Sequence, residues 1–144
     1  MKNSPVLAAM TFALSLLSHT AHSAEPLAFQ GVMKDLGRHM QTIAGAIAYG
    51  DWEQVARTAP LIAAHPQPPI TEKARIFAFV GTNMGKFKEF DKQTHDGAHA
   101  MEHAAKAGDG MQVINQFQNV QLGCLGCHQA FRKPFVEHFY GKPE

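Results

Sequence analysis

Cys124 and Cys127 are the only cysteines in this 144-residue chain, and His128 follows them directly. In Cys124-Leu125-Gly126-Cys127-His128 the three reactive side chains stand at i, i+3 and i+4, a spacing that a helix brings to one face. C-x-x-C-H is the signature of covalent haem attachment. The chemistry suits the spacing: two thiols add across the vinyl groups of one haem c while the imidazole reaches the iron beneath the ring. The fold is therefore expected to present a helix near the C-terminus, with one face turned to a flat prosthetic group.

Other readings of a Cys pair fit less well. A disulfide is the default in an oxidising compartment. A redox C-x-x-C normally opens a helix after a strand, where the helix N-terminus lowers the thiol pKa. Here no strand precedes the motif, which is expected well inside a helix. A structural zinc site needs four ligands, and there is no second Cys pair.

Residues 1–23 read as a signal peptide: Lys2 gives a positive start, Val6 to Leu17 is mostly apolar, and Ala21-His22-Ser23 offers small residues for cleavage. A cut after Ser23 leaves a mature domain of residues 24–144 that begins at Ala24. No later stretch approaches twenty apolar residues, so stable membrane insertion is not expected. Export places the protein in the periplasm. Without Lys2, twelve basic residues balance the twelve acidic ones. That balance, with no basic run, gives no sign of nucleic-acid binding.

Periodicity points to an all-α, antiparallel four-helix bundle. Met33, Leu36, Met40, Ile43 and Ile47 recur at steps of three and four, predicting a first helix from about Phe29 to Tyr49. Gly50 ends it, and Asp51 with Gln54 reads as a capping box for a second helix to about Ala64, in which Pro60 is expected to cause a kink or irregularity. His65-Pro66-Gln67-Pro68-Pro69 is a linker, and His65 itself carries no specific signal. The stretch Glu72 to Ala107 is too long for one helix and divides near Gly81 to Gly85. Gly108 stops the third helix, and Asp109 with Gln112 caps the fourth. Val113, Phe117, Val120, Cys124, Cys127 and Phe131 form the fourth helix's apolar face, which Pro134 is expected to end.

The C-terminal C-x-x-C-H on such a bundle resembles the class II c-type cytochromes, the cytochrome c-prime family. Cys124 to Arg132 and Ala104-Ala105-Lys106-Ala107-Gly108-Asp109 carry the likeness, with a looser match from Met33 to Met40. In that family the first helix presents one side chain to the distal face of the haem. Five-coordinate, gas-binding members typically have an apolar residue such as Leu there, and the low-spin branch has Met. The register places Met33 at this position, with Met40 in the core and His39 at the edge. The resemblance implies an electron-transfer carrier whose iron is held by His128 and Met33 and which serves redox partner proteins. The alternative is a binder of NO or CO. A homodimer through the first two helices is a common family arrangement. Arg132 matches a basic residue near the proximal haem edge, though a solvated charge is nearly as good an account.

No methionine follows His128, so Met33, Met40, Met84, Met101 and Met111 are the sulfur candidates in the mature chain. His95, His99 and His103 recur at i, i+4 and i+8; an exposed row is favoured over a surface metal site. No catalytic constellation is visible, and no enzyme activity is expected.

Overall fold

The computed structural model describes residues 26–141; the expected leader, residues 1–23, and its expected cleavage site lie outside them. All regular elements among the described residues are helical: α1 (Ala28–Tyr49), α2 (Trp52–Ala63), α3 (Ile70–Val80), α4 (Met84–Lys106), α5 (Gly110–Cys127) and α6 (Lys133–Tyr140). Helices α1, α2, α4 and α5 make the four-helix bundle. Within it α2 packs on α1 and α4, α4 packs extensively on α5, and α1 meets α5 only sparsely. The expected division near Gly81 appears as a 3₁₀ turn, Gly81–Asn83, between α3 and α4.

The helix ends follow local chemistry. Gly50 adopts φ 68°, and the N–H groups of Gly50 and Asp51 donate to Ile47 O and Ala46 O. This left-handed stop suits a residue without Cβ. Asp51 Oδ1 accepts from Gln54 N at 2.9 Å, and Asp109 Oδ1 accepts from Gln112 N at 3.0 Å. The Asp51 box closes only halfway, because the Gln54 side-chain amide donates to Thr58 Oγ1 instead of turning back. Pro60 stays inside α2, whose last turn closes with Ala64 N donating to Pro60 O.

Pro134 does not end the last helix. It stands in the first turn of α6, which runs on to Tyr140. A first-turn proline removes no established hydrogen bond, and its fixed φ already suits a helix. The N-terminus of α1 has no side-chain cap of its own. Glu72 of α3 provides one from across the fold, accepting from Ala28 N at 2.8 Å and Phe29 N at 3.2 Å.

Two apolar clusters fill the interior. The first joins Ile43, Val55, Ile62, Met101, Val113 and Val120, with Leu36, Met40 and Cys124 packed against it. The second joins Ile76, Val80 and Phe131, with Phe29, Phe87, Phe90 and Cys127 at its edge. Each fully buried Val or Ile contributes about 1.5–3 kcal/mol through lost water contact.

Close packing of α5 on α4 depends on Gly123 and Gly126. A Cβ on Gly123 would lie 2.6 Å from Thr94 Oγ1 and 3.3 Å from the Phe90 carbonyl oxygen, and one on Gly126 would run into the Phe90 ring. Gly45 on α1 is exposed with open space around it. Gly123→Ala should therefore destabilise the protein by about 1–3 kcal/mol through overpacking. Gly45→Ala should stabilise it by up to about 1 kcal/mol through helix propensity. Denaturant unfolding measures both, and equal effects would refute the packing account.

Candidate functional site

Helix α5 delivers Cys124 and Cys127 in its last turn, and His128 opens a five-residue π-helical turn, His128–Arg132, that leads into α6. The motif is thus not set in uninterrupted α-helix as expected. Such turns are frequent at functional sites. Neither cysteine is paired in a disulfide, and both are half-buried. Cys124 packs on the first apolar cluster and Cys127 on the second, so the two thiols bracket the seam between them.

Electrostatics at the seam oppose the redox-pair reading. Burial raises the Cys124 thiol pKa, against a smaller opposite effect of the adjoining Thr94. Cys127 is pushed up to about 11 by burial first, then by Cys124 and Asp91. A redox or nucleophilic pair needs the opposite shift, since thiolate is the reactive form. His128 is exposed overall; partial burial of its ring, followed by the Arg132 charge, lowers its pKa. Near neutrality the site offers two protonated thiols and an imidazole favoured in its neutral, ligating form.

The first helix contributes to both clusters. Its Phe29 packs on the second cluster, whereas Leu36 and Met40 pack on the first. Met33 lies between these positions, is half-buried and belongs to neither cluster. The other methionines are placed differently. Met101 is fully buried in the first cluster, Met40 packs on it, Met84 packs on the second, and Met111 is 69% exposed.

Arg132 is exposed, and its charge acts on His128. The histidine row does not act as a unit. His95 turns to His65, while His99 and His103 remain exposed. His65 was silent in the sequence because its side-chain partners His95 and Asp91 lie on α4, far along the chain. A cleft of about 380 Å³ lined by Phe79, Asn83, Phe131 and Pro134 adjoins this end of the bundle. It includes neither cysteine, and those two thiols are the chain's sole groups able to form thioether bonds.

These residues fit a covalent haem: two unpaired, half-buried thiols at i and i+3, an imidazole favoured in its neutral form at i+4, and apolar packing on either side. No curated protein matches the chain. The family profile described as Cytochrome C' matches residues 27–132, from just before α1 through the π turn. Matched over most of its length, the chain belongs to the Cytochrome C' family, which carries a covalently bound c-type haem.

Proposed function

We propose that the protein is a periplasmic electron carrier with one haem c tethered by Cys124 and Cys127, and with His128 and Met33 as iron ligands. The bound haem would supply one-electron chemistry. The chain supplies the rest. The two thiols would fix the group's place on α5, with the His128 lone pair as one ligand and the Met33 thioether as the other. Imidazole with thioether raises the reduction potential, a pairing suited to electron transfer. The two apolar clusters limit water at the seam, which further tunes the potential. Redox partner proteins would deliver and accept the electron.

The half-buried Met33 on α1 supports this reading: in sequence it falls between Phe29, which packs on the second cluster, and Leu36 and Met40, which pack on the first, and the two cysteines also divide between those clusters. The family match favours a second reading, because five-coordinate iron open to a small gas is the more usual family state. The ferric visible spectrum of protein purified from the periplasm, with its N-terminus at Ala24, decides between them. The carrier should show low-spin bands and a weak far-red sulfur-ligation band. A high-spin spectrum would overturn the carrier and promote the gas binder.

A further inference from the structure

We propose that His65, Asp91 and His95 form a second metal site, for a late first-row divalent cation such as Zn²⁺. This site lies outside the attachment motif and does not depend on which residue fills the sixth position of the iron. His65 stands just after α2, at the start of the proline-rich linker, and Asp91 and His95 share one face of α4 at i and i+4. One ligand atom from each converges on a single point. His65 Nε2 and His95 Nε2 are 3.2 Å apart, His95 Nε2 and Asp91 Oδ1 are 3.6 Å apart, and His65 Nε2 and Asp91 Oδ1 are 4.0 Å apart.

Those separations match a tetrahedral ion. With metal–ligand bonds of about 2.0–2.1 Å, the edge between two ligands is roughly 3.3 Å. One pair already meets that value, and the others need only small side-chain adjustments. Two imidazoles and one carboxylate are a donor set that zinc favours, leaving a fourth position for water.

The surroundings also suit a ligand. His65 Nδ1 lies 3.1 Å from Pro66 O. Donating its Nδ1–H to that carbonyl leaves Nε2 with a free lone pair, the arrangement that orients metal-bound histidines elsewhere in proteins. The His65 side chain is only 9% exposed, whereas Asp91 is 56% exposed, so the site is anchored inside and reachable from solvent. A bound cation would tie the α2–α3 linker to α4.

The test uses untagged, haem-loaded protein stripped of metal by chelator and titrated with Zn²⁺ by calorimetry. One equivalent should bind at micromolar affinity or tighter. His65→Gln and Asp91→Asn should each weaken it by more than about a hundredfold, beyond the effect of losing an outer-shell partner. The double variant His99→Ala/His103→Ala should bind as wild type does. Helical circular dichroism checks that the variants are folded. X-ray absorption on the wild-type zinc complex gives a variant-independent measure, and should show two imidazoles with one or more oxygens. Absence of the tight equivalent would overturn the site, as would its loss in the His99/His103 variant with retention in His65→Gln. A zinc shell without two imidazoles would also overturn it.

Discussion

Met33→Leu should convert the ferric protein from low-spin to mainly high-spin. Leu keeps nearly the same volume, so the fold should survive at a cost below about 1.5 kcal/mol. The half-buried position of Met33, outside both apolar clusters, makes such tolerance more secure. Without the thioether, the ferrous protein should bind carbon monoxide readily. The reduction potential should fall by on the order of 0.1 V, within the wide range that axial ligands control. Met40→Leu is the matched control: it lies on the same helix stripe but packs on the first cluster. Visible spectroscopy, carbon monoxide titration and potentiometry should leave that variant unchanged. An unaltered low-spin spectrum in Met33→Leu would refute the assignment and redirect it to another sulfur or a histidine.

Replacing both Cys124 and Cys127 with Ala should abolish covalent haem retention. Denatured wild-type protein should keep its haem through acid–acetone extraction, because thioether bonds survive unfolding while axial ligation does not. The double variant should release all of it or yield no holoprotein. The raised thiol pKa values sharpen this expectation, since they disfavour the thiolate chemistry of a redox pair. Clean extraction from the wild type would defeat covalent attachment altogether. Single variants should each retain haem through the remaining sulfur, in lower yield, separating the roles of the two cluster edges.

What the sequence determined by itself was set by near neighbours. The C-x-x-C-H spacing, the α1 stripe, the Gly50 stop and the Asp51 and Asp109 caps all involve groups within about one helical turn. Their geometry follows from helix pitch, and the structure bears out those helices, stops and caps. Pro134 shows where local reasoning fails. The residue opposes a continuing α-helix, but the π turn before it lets α6 begin anew.

Only the tertiary structure decided the contacts between distant segments. Glu72 caps α1 from 44 positions away, and His65 meets His95 from 30 positions away. Gly123 and Gly126 look like ordinary helix-weakening residues until Phe90 and Thr94 occupy the space a Cβ would need. Helix periodicity sets which side of a helix is apolar; the partner and its height along the bundle emerge only when side chains from separate helices compete for the same volume.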